Sequence, residues 1–188
     1  MIDALKSGWT RLRANRWRAL AVDALLILAF FQAFAAWQKQ DMLGGSQPEA
    51  PTLALPDLEG NWVELRPGNT RRTLVYFLAP WCTVCKHSVP HLNTLRRLRD
   101  PEELAIHVVG LAWQDPEELR RFARDTGLEL PILTGVRSTA EAWKIRAFPT
   151  YYVLDENGQV LSSDLGLTTE WGLRWRTWAW QTTGGERS

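Results

Sequence analysis

Two cysteines three residues apart, Cys82 and Cys85, stand where one hydrophobic period gives way to another. Thr73 to Ala79 (TLVYFLA) is a nearly continuous apolar run, the pattern of a strand buried on both faces. From Cys82 to Arg99 the spacing turns helical, with Val89, Leu92, Leu95 and Leu98 on one side. The first sulfur therefore falls at a helix N-terminus, where unpaired N–H groups and the helix dipole stabilise a thiolate, and cysteines so placed have pKa values of about 3.5 to 7.5. Cys82 is the expected nucleophile. Cys85, on the same helix face and one turn deeper, is the expected resolving thiol. The alternatives are a structural disulfide or half a metal site. Only two cysteines occur in 188 residues, which excludes a disulfide-dense scaffold and leaves a four-ligand zinc site incomplete. His87 and His91, the nearby imidazoles, lie about 200° and 240° round the helix from Cys85, so no metal site is expected.

The rest of the chain alternates in the same way. Thr52 to Leu55 and Trp62 to Leu65 read as an opening hairpin, turning through Gly60. Ala105 to Ala112 is a second buried strand. Asp115-Pro116-Glu117-Glu118 starts a helix with a capping residue, a proline at the first helical position and carboxylates in the first turn, and Gly127 ends it. A short helix over Ser138 to Ile145 comes next, then strands Thr150 to Leu154 and Gln159 to Ser163 around the turn Asp155 to Gly158. A closing helix runs from about Thr169 to Gln181. Its Trp171, Trp175 and Trp178 share one face, expected to pack on the core, with a membrane-surface face as the alternative. The pattern predicts an α/β sandwich with a mixed central sheet.

Upstream the composition is different. Residues 1–18 carry Lys6, Arg11, Arg13, Arg16 and Arg18 against Asp3. Ala19 to Trp37 is an apolar run interrupted by Asp23 and Gln32, about 28 Å long as a helix and close to the thickness of a bilayer's hydrocarbon core. It reads as a transmembrane anchor at 19–37, with a signal sequence cut before Ala36 at the A-x-A-like Ala33-Phe34-Ala35 as the alternative. Either reading exports the remainder of the chain, since positive charge stays on the cytoplasmic side. Residues 38–51 are polar and Gly/Pro-punctuated, as in a linker, and 52–188 form the expected folded domain. A net charge of +1 for the whole chain excludes charge-driven nucleic-acid binding.

The sequence resembles the thioredoxin fold and, within it, the membrane-tethered TlpA-like, ResA-like thiol-disulfide oxidoreductases of bacteria. The resemblance is carried by Trp81-Cys82-x-x-Cys85-Lys86, Pro90, Phe148-Pro149-Thr150 before a strand, Asp155 to Gly158 in the hairpin, and an extra strand and helix between Leu104 and Gly127. It implies a thioredoxin-like sandwich behind one N-terminal transmembrane helix, on the outer side of the cytoplasmic membrane. It also implies a redox-active Cys82–Cys85 disulfide with no further cofactor and no metal. By the same resemblance Pro149 is a cis-proline facing the disulfide, and Trp81, Phe148 and Pro149 shape the substrate surface. The implied partners are exported thiol or disulfide proteins and an upstream membrane redox partner.

Two positions depart from the family pattern: Tyr76 stands where thioredoxins carry a buried Asp, and Ser88 where cytochrome c maturation members carry a Glu. The resemblance is therefore nearer to the copper-sensitivity-suppressor type than to apocytochrome c reductants. A metal (copper)-binding or chaperone module without redox turnover, and a thiol peroxidase, are the other function classes. The second lacks a Pro-x-x-x-Thr-x-x-Cys pattern here.

Overall fold

The computed structural model describes residues 16–39, 43, 49–65, 70–167 and 170–178. The chain divides into two compact units, Met1–Asp41 and Met42–Ser188.

In the first unit, Arg16–Lys39 is a single helix (α1) of 24 residues. Leu25, Leu26, Phe30 and Phe31 on it are each more than 60% exposed. The expected span at 19–37 thus falls within one helix, and the large apolar side chains described along it, from Leu20 to Phe31, are exposed. Among the described residues, however, no helix is long and apolar enough to cross a membrane.

The second unit is a layered α/β fold. β1 (Leu53–Pro56) and β2 (Trp62–Leu65) form the expected antiparallel hairpin. The Asp57 carboxylate closes it by accepting from the Glu59 and Asn61 N–H groups at 2.9 and 2.8 Å. Five more strands, β3 (Arg72–Leu78), β4 (Leu104–Gly110), β5 (Ile132–Thr134), β6 (Thr150–Asp155) and β7 (Val160–Leu165), make a sheet in the order β5-β4-β3-β6-β7. β3, β4 and β5 are parallel, and β6 and β7 turn back antiparallel, which makes the sheet mixed. β5 was not expected, being only three residues long and on an edge.

Alternation along β3 divides the core between the two faces of the sheet. Leu74, Tyr76 and Leu78 point into one cluster, with Val89, Leu92 and Leu95 of α2 (Thr83–Leu98), Leu119 and Phe122 of α3 (Pro116–Thr126), and Leu173 of α5 (Glu170–Trp178). Val75 and Phe77 point into the other, with Leu55, Tyr152 and Trp143, which caps α4 (Arg137–Ala142). The boundaries of α3 match its sequence signals. Asp115 caps it by accepting from the Glu117 N–H at 2.9 Å, and Gly127 ends it at a φ of 64°, which a side chain would resist. Gly110 ends β4 where no Cβ fits, since one would stand 2.6 Å from Leu119 Cδ2.

Three expectations change. Leu43 and Ala50 are 2% and 6% exposed and belong to the second cluster, so core residues occur within the stretch read as a linker, upstream of Thr52. The Ala50 N–H donates to the Gly158 carbonyl at 2.9 Å, and Glu49 bridges Gln159. Leu98, expected on the buried side of α2, is 53% exposed where that helix ends. On α5 the inward residues are Leu173 and Thr177, whereas Trp171 and Trp175 are 76% and 66% exposed. Each tryptophan is two residues from an inward position, about 200° round the helix. The side chain of Trp178 lies outside the described residues.

Burial of His107 predicts a pH dependence of stability. It lies on β4 opposite Val75, and burial lowers its pKa below the ordinary 6.5. Between the unfolded and the folded pKa the unfolded chain binds a proton that the folded protein refuses, so stability present above about pH 6.5 is lost as the pH falls through that window. In His107→Gln the urea midpoint should drop less between about pH 7 and about pH 5 than in the wild type. Equal drops would show that His107 does not contribute.

Candidate active site

The site is built where β3 runs out. Past Leu78 the chain turns through Pro80 and Trp81, with the Cys82 N–H donating to the Ala79 carbonyl at 3.1 Å. Cys82 is the N-cap of α2, with extended backbone at φ −76° and ψ 106°. Its Sγ accepts from the Cys85 N–H at 3.1 Å. The sulfur thus occupies the place of a capping oxygen, at the end of a helix whose free N–H groups stabilise negative charge. Cys82 and Cys85 are joined in a disulfide with their Cα atoms 5.3 Å apart. Both are buried, Cys82 keeping 5% exposure and Cys85 none. The helix continues through Pro90 to Leu98.

Trp81, 65% exposed, is held rather than loose. Its indole N–H donates to the Ala112 carbonyl at 3.2 Å, and its ring meets the ring of Phe148 edge-on at 5.6 Å. Ala112 adopts φ 52°, a left-handed conformation that costs an alanine energy, and in that conformation its carbonyl receives the indole. The Phe148–Pro149 peptide bond is cis. Thr150 pairs with Phe77 across the sheet, so Phe148 and Pro149 lie at the same end of the sheet as the cysteines. The Pro149 carbonyl accepts from the Gly166 N–H at 2.8 Å.

Two grooves open near this turn. Trp81 itself lines the smaller, charged one with Lys86, Glu118, Arg121 and Asp125. Its partners Ala112 and Phe148 line the other, a mainly apolar groove of about 440 Å³, with Leu111, Trp113 and Val136. There the Trp113 indole donates to the Gly135 carbonyl at 2.9 Å. In the β4–α3 loop the sequence marks Asp115 as a cap, but nothing in it assigns Ala112 or Trp113 to the site. The left-handed alanine has no sequence signature, because glycine is the residue that usually marks such a position.

Beneath the sulfurs the polar groups are neutral. Tyr76 is fully buried, stacks on Tyr151 at 6.3 Å, and has a hydroxyl with no well-formed hydrogen bond among the described residues. Burial raises its pKa, offset only in part by the nearby Ser88 hydroxyl, so it stays protonated. Ser88, also buried, donates to the Val84 carbonyl at 3.1 Å. Neither can replace a carboxylate as proton acceptor. Among the described residues no group of three or more His, Cys, Asp or Glu side chains could hold a metal ion.

A sulfur pair capping a helix at the end of a buried strand, on a thioredoxin-like sandwich, defines a protein thiol-disulfide oxidoreductase. The profile described as "AhpC/TSA family" matches residues 47–163, and the chain belongs to that family. It is 25% identical over 161 residues to the thiol-disulfide oxidoreductase ResA of Halalkalibacterium halodurans, a match covering 84% of this chain and 90% of that one. It is 27% identical over 124 residues to the thioredoxin-like protein YneN of Bacillus subtilis, covering 65% and 72%. A crystal structure of a thiol:disulfide interchange protein DsbE from Chlorobium tepidum shares the fold with a TM-score of 0.63 at 23% identity, covering 70% of this chain and 94% of that one.

Proposed function

We propose that the protein is a membrane-anchored, extracytoplasmic oxidoreductase that exchanges disulfides with exported proteins through Cys82 and Cys85. The observation that carries this reading is the placement of Cys82 as the cap of α2 with Cys85 bonded behind it. In the oxidising direction a substrate thiolate attacks Cys82 Sγ, the bond to Cys85 breaks, and Cys85 leaves as a thiolate. A second substrate thiolate then attacks the substrate's own sulfur and releases Cys82. Two electrons pass from the substrate to the pair, and the reverse sequence reduces a substrate disulfide. No cofactor beyond the two sulfurs enters the balance.

Substrate contacts fall to Trp81, Phe148 and Pro149. Trp81 and Phe148 are braced against one another, and Trp81 is the residue directly before Cys82, so a substrate held at that sulfur would meet this pair. Anchoring is supported by the basic residues before α1, by the apolar run reaching Trp37, and by the exposed leucines and phenylalanines of that helix. An upstream membrane redox partner would reset the pair after each turnover. A peroxidase reading finds less support, since Ala79 and Val75 occupy the positions that the Thr and Pro of the peroxidatic pattern would take.

Cys85→Ser tests both the mechanism and the side of the membrane. The Cys82 thiolate would still attack a substrate disulfide and displace one substrate thiolate, but no Cys85 thiolate would remain to release it, so mixed disulfides should accumulate on Cys82 when the full chain is expressed in membranes. Mass spectrometry of the trapped partners should identify exported proteins. Cytoplasmic proteins alone in the trap would overturn the export reading, and an empty trap the mechanism.

A further inference from the structure

Buried polar groups in folded proteins are almost always hydrogen-bonded, and an exception calls for a reason. Beneath the disulfide there is one. The Tyr76 hydroxyl belongs to a fully buried side chain and makes no well-formed hydrogen bond among the described residues. Its ring leaves β3 on the face covered by α2, in the same cluster as Cys82 and Cys85. The Ser88 hydroxyl stands beside it and offsets part of the effect of burial on its acidity. Ser88 follows Cys85 by three residues on the inward side of α2, and neither has exposed surface. Residues so spaced have their Cβ atoms about 5–6 Å apart. A phenol hydroxyl at the level of Ser88 is thus within one helical turn of the Cys85 sulfur.

The other donors and charges around this level are committed or turned away. Ser88 donates to the Val84 carbonyl, and the Cys85 N–H to Cys82 Sγ, each at 3.1 Å. The Tyr151 hydroxyl donates to the Asp164 carboxylate of β7 at 3.4 Å. Leu119 and Phe122 of α3 and Leu173 of α5, in the same cluster, are apolar. Lys86 and His87 of α2 are exposed, and Lys86 lines the charged groove beside Trp81 with Glu118, Arg121 and Asp125.

We propose that the Tyr76 hydroxyl is the hydrogen-bond donor that receives the Cys85 thiolate when the disulfide opens. The inference rests on the exchange mechanism proposed above. When a substrate thiolate attacks Cys82 Sγ, the S–S bond breaks and its electron pair remains on Cys85 Sγ. Tyr76 donates to that sulfur and keeps its own proton, because burial suppresses its acidity, so no further reactant enters. In the reducing direction the same bond holds Cys85 as the thiolate that attacks the mixed disulfide. A disulfide sulfur is a weak acceptor and a thiolate a charged, strong one. A donor left unpaired in the closed pair therefore gains its partner as charge develops, which is how a preorganised dipole favours a reaction.

The test is Tyr76→Phe in the full chain, which keeps the ring on Tyr151 and removes only the hydroxyl. The reduced chain, in detergent, is mixed with dithiobis(nitrobenzoate) over a range of pH. Attack by Cys82 releases one coloured thiolate, and attack by Cys85 on the resulting mixed disulfide releases a second. A hydrogen bond to a charged group moves its pKa by about one unit or more. Losing it leaves less Cys85 thiolate but a more nucleophilic one, with a Brønsted coefficient of about 0.4–0.5. For a shift of about one unit, the second release should be about three- to fourfold slower near neutral pH and about threefold faster once Cys85 is ionised in both proteins. The thermal midpoint of the oxidised chain should hold or rise, since an unpaired buried hydroxyl is lost. A second release with the wild-type pH profile, or slowed equally at every pH, overturns the inference. A midpoint lowered by several degrees would show the hydroxyl already bonded in the closed pair, and overturns it too. A wild-type chain that releases no second thiolate overturns the exchange mechanism, and this inference with it.

Discussion

Cys82→Ser lowers the rate of thiol-disulfide exchange by about 10⁴-fold or more, the scale on which loss of a covalent nucleophile acts. The serine hydroxyl can cap α2 as the sulfur does, so the fold is kept and the loss is chemical. Cys85 cannot take over. It has no exposed surface, and an incoming sulfur would have to reach it through the turn that Trp81 and Cys82 occupy. The measurement is exchange with a disulfide-containing protein and, separately, with a small-molecule disulfide. Both should fall together. Activity retained by Cys82→Ser would mean that the roles of the two sulfurs are assigned the wrong way round.

Trp143→Ala destabilises the folded domain by about 3–5 kcal/mol, which lowers the midpoint of thermal unfolding by roughly 6–20 °C. Trp143 is 1% exposed and sits between the rings of Phe77 and Tyr152, at 5.3 and 5.6 Å. Its backbone carbonyl also accepts from the Tyr152 hydroxyl at 2.9 Å. Removing the indole leaves a cavity on the face of the sheet covered by α4 and the β1–β2 hairpin. Trp171→Ala, on an exposed face, should change stability by less than about 0.5 kcal/mol. Circular dichroism melts of the two variants beside the wild type decide the matter, and similar midpoints for both would contradict the packing described.

These two tryptophans also mark the limit of what the sequence discloses. Eleven occur in the chain, and their spacing alone does not sort the buried from the exposed. On α5 the eye is drawn to Trp171, Trp175 and Trp178, whereas the buried pair is Leu173 and Thr177. Threonine there is tolerated because its hydroxyl donates to the Leu173 carbonyl at 2.8 Å and needs no water. Strong local signals, by contrast, were legible. A buried apolar run before Cys82, a cap and proline before α3, and a turn at Asp155 to Gly158 each determine a boundary through backbone chemistry close at hand. The Asp155 carboxylate accepts from the Asn157 and Gln159 N–H groups at 2.9 and 2.8 Å, as a turn aspartate does.

What stayed hidden depends on distant partners. β5 has three residues and takes its order from β4. Leu43 and Ala50 are isolated apolar residues among polar ones, buried only because Tyr152 and the β6–β7 turn lie where they can be reached. Ala112 is an ordinary residue in an unusual conformation, and only the Trp81 indole gives that conformation a use. The sulfur pair was legible at once. The surface that brings substrates to it was legible only in part.

A working redox pair at Cys82–Cys85 and a structural bridge there differ in reduction potential. The most direct test is the reduction potential of the full chain, equilibrated in detergent against glutathione and dithiothreitol buffers and read by alkylation of the freed thiols. One two-electron transition in which both cysteines become accessible together is expected between about −270 and −120 mV, the range of working oxidoreductases. A disulfide that resists reduction until well below about −300 mV would be structural and would contradict it.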